Sequence, residues 1–468
     1  MSQAAGQDRL SPGSGASLLL LGGISLLGLL PPPADLPVPA HRTLAVAAGA
    51  IVLWTGEILP PGVTAVLVVL LLFLTGAAPT LPAALTGFAS PVPYFLIGVL
   101  TLAMAVEKVG LAERLAWLFL RSARGRRRAL FWQMILSFPL LTLLLPSATT
   151  RSAILAGVYD RAFALGGVAR GAPVARAVMM GLGSVNRLAS TTLLTGGMTP
   201  IVAAALIGGI GWGRWFVLLA VPYSVTLLIG AAVLHGWYLR GAAEGLTLGE
   251  EEQRSFQPAE RRAGLIVLGA SALWLTDGIH HLDPTVPAIL AWALLLAPRL
   301  GVLDWREFES RLSWANFFIL ASSLSLGHAI SQTGAARWLA AALLRAAPAA
   351  AHDPYALLAF LLAASVPVRL LIPNITGFLA VTIPIAMELG RQAGLNPQAC
   401  GLAVMIVGDT VLFYPAQSAS ALVVYERGHI TAGEVFRFGL LMTAVAYIVT
   451  LTFNLLWWEA VGFPWKGG

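Results

Sequence analysis

The sequence predicts an all-α integral membrane protein of about 11 transmembrane helices plus two re-entrant helical hairpins, arranged as two inverted-topology repeats. Three observations predict it. The 468 residues are 57% hydrophobic and only 11% charged, with a mean hydropathy of +0.80, whereas soluble domains carry about 25% charged residues. Two halves on either side of one long polar interruption repeat the same order of motifs. Lys and Arg gather in alternate loops, as the positive-inside rule requires. The net charge of +7 therefore reads as orientation and not as a nucleic-acid surface. The single cysteine, Cys400, has no partner for an internal disulfide, and no Cys/His spacing suits a metal.

In chain order, residues 1–16 are polar and Gly/Ser-rich and are expected to form a disordered cytoplasmic N-terminus. The apolar run that follows lacks a small-residue cleavage site and reads as a retained span. The first repeat covers 17–240. It contains "LWTGEILPPGVTAVLVVLLLFLTG", then "EKVGLAERLAWLFL", in which Gly110 opens a short amphipathic segment. Residues 129–166 follow as a hairpin. The run Ala129 to Leu145 would be about 26 Å long as a helix. Pro146 stops it, and Ser147 or Thr149 can cap the next helix. A tip at membrane depth must face a protein-lined cavity, and its helix N-terminus suits an anion. The alternative is a pair of ordinary spans joined by a turn. A broken helix is expected over 174–212, where Gly196, Gly197 and Pro200 interrupt the apolar pattern.

The polar stretch 241–262 is a cytoplasmic linker, and 263–460 forms the second repeat. Its "LWLTDGIHHLDPTVPAILAWALLL" and "SQTGAARWLAAALL" match the first-half motifs, with Asp277 for Glu57 and Gly334 for Gly110. A second hairpin is expected at 355–390 around Pro373 and Asn374. A second broken helix at 396–424 carries Pro415, Gln417, Ser418 and Ser420. Two similar halves with breaks at corresponding places are the mark of a secondary transporter. With the N-terminus in the cytoplasm, Arg121 to Arg128, Arg170, Arg176, the linker, Arg299, Arg306, Arg311 and Arg427 fall inside. An odd number of spans puts the C-terminus outside.

Substrate-binding candidates are Ser147, Thr149 and Thr150 at the first tip, Asn374 and Thr376 at the second, and Thr199 and Ser418 at the breaks. Arg151, Arg187 and Arg369 are charges within apolar runs, which usually face a cavity; beside the two tips they favour an anionic substrate. Each could instead snorkel or pair with an acid, and Arg187 with Asp409 is the attractive pair. Ser147, Gly196, Gly197, Asn374 and Asp409 are candidates for binding or coupling an ion. Glu57 and Asp277 could couple protons or merely sit at the interface. His280 and His281 beside Asp283 read as a solvated turn. No nucleophile–base constellation, phosphate loop or metalloprotease motif points to an enzyme.

The stretch "EILPPGVTAVLVVLLLFLTGAAPTLPAALTGFASPVPYFLIGVLTLAMAVEKVGLAERLA" and the later "SASALVVYERGHITAGEVFRFGLL" resemble the divalent anion/sodium symporter family of the ion transporter superfamily, over roughly residues 45–458. The resemblance implies a homodimeric elevator transporter in the inner (plasma) membrane, carrying a dicarboxylate or sulfate-like anion with sodium and needing no cofactor beyond sodium ions. Its members carry a Ser-Asn-Thr motif at each tip. Here the first reads Ser147-Ala148-Thr149, without the Asn, and in the second only Asn374 stands in register. Arg151 could supply fixed charge where the family uses a cation, which suits proton coupling, exchange or passive transport. A cation/proton antiporter of the same superfamily and a non-transporting membrane scaffold are the alternatives.

Overall fold

The computed structural model describes residues 14–56, 58–241 and 255–467. Glu57, residues 1–13 and most of the linker lie outside that range. The described residues fold into helices joined by short turns, with an isolated bridge between Leu395 and Lys466. By length and composition, four helices can cross a membrane alone: Val38–Thr55, Trp212–Tyr238, Pro354–Leu371 and Ala432–Ala460. Shorter apolar helices stand beside them, at Pro61–Leu74, Met198–Ile207 and Thr285–Leu296. Helices Val92–Lys108 and Leu111–Ser122 meet at 64° around Gly110, whose φ is 77°. Trp314–Gln332 and Ala335–Ala346 are joined in the same way by Gly334, at φ 87°. Only glycine adopts this left-handed turn without strain, so the matching glycines mark the repeat in the backbone itself.

Two hairpins follow. The first pairs Arg127–Leu144 with Ala148–Leu165, and the second pairs Pro354–Leu371 with Ile375–Gln392. Each first arm carries an internal proline, Pro139 or Pro367. The first broken helix runs Pro173–Met180, a wide turn Gly181–Val185, Asn186–Thr191, a gap, and Met198–Ile207. The second runs Pro397–Thr410, a gap holding the single turn Pro415–Gln417, and Ala419–Tyr425. One large hydrophobic core spans both hairpins and both broken helices. A smaller core is separate, formed by residues from 36–84 and 326–336. The first hairpin is also tied to the second broken helix: Asp160 takes His429 Nε2 at 2.8 Å and Arg427 Nη1 at 3.5 Å.

Candidate functional site

Both hairpin tips and both helix breaks converge on one cavity of about 530 Å³, a volume suited to a small molecule. The tips are built by capping. Ser147 Oγ accepts the amide of Thr150 at 3.2 Å, and Asn374 Oδ1 accepts that of Thr376 at 2.9 Å. Capping uses the side-chain oxygens as acceptors and leaves the Ser147 hydroxyl and the Asn374 amide free to donate. The N-termini of Ala148–Leu165, Ile375–Gln392 and Met198–Ile207 all line the cavity, where helix dipoles favour an anion.

Two buried arginines lace these tips from behind. Arg151 is 0% exposed and donates to Leu145 O at 2.6 Å, Ser190 Oγ at 2.6 Å, Asn186 Oδ1 at 3.0 Å and Asn186 O at 3.3 Å. It joins the end of the first arm to the first broken helix. Arg369 reverses the geometry from the first arm of its own hairpin. It donates to Ile372 O at 2.6 Å, Pro373 O at 2.7 Å and Gly408 O at 3.2 Å. Each guanidinium satisfies carbonyls orphaned where a helix ends. Arg369 also lines the cavity; Arg151 does not. The expectation that Arg151 meets the substrate thus gives way to a structural position, because its donors are taken up by protein oxygens.

Arg187 is different. It lines the cavity, and its buried Nε has no hydrogen-bond partner. The expected pair with Asp409 is not formed: among the described residues no carboxylate lies within 4.0 Å of Arg187. Asp409, 2% exposed, instead accepts Thr191 Oγ1 at 2.8 Å and Thr199 Oγ1 at 3.2 Å. These threonines stand on opposite sides of the first helix break, so one carboxylate from the second repeat clamps the break of the first.

Of the other sequence candidates, Ser147, Thr149, Thr150, Gly197, Thr199, Asn374, Thr376 and Ser418 line the cavity, and Gly196 does not. Ala148 offers the cavity no side-chain polarity, and its carbonyl accepts Asn186 Nδ2 at 3.2 Å. Asp277 lies away from the site and accepts the Gly213 amide at the start of Trp212–Tyr238, a capping role. Sequence reasoning missed Asn186, Ser190, Thr191 and Asn316. Asn186 and Ser190 carry a usable signal, since their i, i+4 spacing puts both on one helix face. It also missed the mouth, where Arg311 pairs with Glu107 at 3.0 Å and with Glu307 at 3.3 Å.

Gly196 explains why the first break sits where it does. A Cβ there would stand 2.0 Å from Ser190 O and 2.8 Å from Thr142 Cγ2. Gly196→Ala must therefore displace Ser190, which holds Arg151. We expect it to unfold several degrees below wild type in a thermal scan and to lose uptake. Gly197→Ala, whose Cβ would be 3.6 Å from Ser190 Cβ, should unfold at the wild-type temperature.

The family model described as the sodium:sulfate symporter transmembrane region matches residues 16–463. The L-tartrate/succinate antiporter of Shigella sonnei is 23% identical, over 94% of this chain and 96% of its own. Dicarboxylate transporter 2, chloroplastic, of Spinacia oleracea is 24% identical, over 94% of this chain and 81% of its own. Among solved structures, the Alcanivorax borkumensis YdaH transporter shares the fold, with a TM-score of 0.58 and 15% identity over 96% of this chain and 97% of its own.

Proposed function

The chain belongs to the sodium:sulfate symporter family, and from that premise we propose that it exchanges small dianions, of the dicarboxylate or sulfate-like kind, across the membrane without sodium. Membership makes it an integral membrane protein and a secondary transporter. The observation that carries the reading is the convergence of two hairpin tips and two helix breaks on one cavity lined by Arg187, whose buried Nε has no hydrogen-bond partner. The cavity and its rear wall hold the guanidiniums of Arg151, Arg187 and Arg369 against the carboxylate of Asp409, an excess of two positive charges. A dianion balances that excess. The empty site would have to carry it through the bilayer, which is strongly unfavourable. Such a carrier moves when loaded and so exchanges.

Two further points support independence from sodium. Ala148 removes one side-chain ligand from the first tip. Arg151 and Arg369 already occupy the carbonyl oxygens that an unwound tip would offer a cation. The hairpins and broken helices, tied together through Asp160 and His429, would move as one unit against a scaffold containing the smaller core, within a homodimer in the inner membrane. The orientation is N-terminus inside and C-terminus outside. The Glu107–Arg311 mouth then opens to the cytoplasm.

Proteoliposomes test this. Vesicles loaded with unlabelled succinate should take up labelled succinate in sodium-free buffer, and empty vesicles should take up little. Uptake into empty vesicles that requires a sodium gradient would overturn the exchange reading.

A further inference from the structure

We infer that the arginines at the joint between Leu111–Ser122 and the first hairpin bind the headgroup of an anionic phospholipid, which pins the root of that hairpin. The inference does not depend on what the cavity carries. Two segments build the surface. Residues 121–128 hold Arg121, Arg124, Arg126, Arg127 and Arg128. They turn through Arg124 and Gly125, at φ 48° and 70°, a region that residues other than glycine rarely adopt. The end of Trp212–Tyr238 adds Arg240. Trp132 meets His235 with ring centroids 6.0 Å apart, and Arg128 and Arg240 both lie near that histidine.

Neighbouring bases at this end of the helices are matched by acids. Arg161 meets Glu113, Arg114 meets Glu260 at 3.1 Å, and Arg176 meets Glu434 at 3.4 Å. Among the described residues, no carboxylate lies within 4.0 Å of Arg124, Arg126, Arg127 or Arg240. The buried Nε of Arg127 has no hydrogen-bond partner. Arg126, Arg127 and Arg128 also open the helix Arg127–Leu144, whose first turn holds no acid and whose N-cap makes no side-chain hydrogen bond. Cations at the positive end of a helix dipole are unfavourable, and an anion held among them reverses that sign. A phosphodiester suits the set, because its oxygens take paired bonds from a guanidinium. The leaflet is its source, since lipid-facing side chains border the arginines. Leu118, Leu136 and Trp237 are exposed, and a tryptophan near a helix end marks headgroup depth. Basic clusters beside an amphipathic helix draw anionic lipid in this way.

The test titrates the full chain, in neutral detergent micelles, with dioleoylphosphatidylglycerol, dioleoylphosphatidylcholine or inorganic phosphate, and reads the melting temperature. Phosphatidylglycerol should stabilise wild type at much lower concentration than the other two. In Arg124→Gln/Arg126→Gln/Arg127→Gln the midpoint of that titration should rise on the order of a hundred-fold, about five-fold per arginine. Arg124→Gln alone, at an exposed turn, should raise it about five-fold, which keeps the test decisive if the triple variant does not fold. Equal stabilisation of wild type by phosphatidylcholine would overturn the inference. So would a midpoint unchanged in the variants. Equal stabilisation by inorganic phosphate would make the ligand an anion from solution and overturn the lipid assignment. Stabilisation confined to Glu250→Gln/Glu251→Gln/Glu252→Gln would overturn it as well, because the linker's own acids would then hold the arginines.

Discussion

Arg187→Gln should lower dicarboxylate uptake at subsaturating substrate by at least about 30-fold while leaving the protein folded. Removing one partner of a buried, hydrogen-bonded charge pair costs about 2–5 kcal/mol, and 2 kcal/mol corresponds to a factor of roughly 30. Arg187 makes no ion pair within 4.0 Å, and its buried Nε is unsatisfied. It therefore contributes little to the stability of the fold, since a buried donor without a partner is itself unfavourable. The melting temperature without substrate should stay level or rise. Stabilisation by added succinate should disappear together with uptake. A variant that keeps wild-type uptake would show that Arg187 does not touch the anion. A variant that loses uptake only because it has unfolded would show that Arg187 is structural.

That contrast bears on how much of the site was legible in the sequence. The tips were legible because their chemistry is local. Pro146 or Pro373 ends one arm, and Ser147 or Asn374 caps the next within three residues. The bends at Gly110 and Gly334 were legible for the same reason. The three arginines were not separable. Each is a lone charge in an apolar run, and its role depends on groups from another part of the chain. Arg151 meets Asn186 and Ser190, 35 and 39 residues away, and Arg369 meets Gly408, 39 residues away. Arg187 faces Asp409 from the other repeat without forming an ion pair within 4.0 Å. The mouth was illegible outright, for its pair of Glu107 with Arg311 joins residues of different repeats. The break between Pro397–Thr410 and Ala419–Tyr425 was legible from Pro415, Gln417 and Ser418, and it forms one wall of the site.

Arg151→Leu should be the most destabilising of the arginine replacements, and by a mechanism opposite to that of Arg187. Leucine fills most of the volume but offers no donor. The Leu145 carbonyl, the Asn186 carbonyl and side-chain oxygen, and Ser190 Oγ would each lose a partner. Orphaning a buried acceptor costs about 1–3 kcal/mol. Even with partial rearrangement, the sum should reach roughly 3–5 kcal/mol. The melting temperature should fall by several degrees in the absence of any anion. Arg151→Lys should recover only part of this, since an ammonium is one compact donor and cannot span four oxygens on two elements. Anion affinity, measured on whatever fraction folds, should fall less than in Arg187→Gln, because Arg151 acts on the anion only through its charge and through the position of Ser147 and Ala148 at the tip. If Arg151→Leu kept the wild-type melting temperature but lost anion binding, the guanidinium would belong in the cavity and not behind it. The excess positive charge that favours exchange would then act on the substrate by direct contact from both repeats.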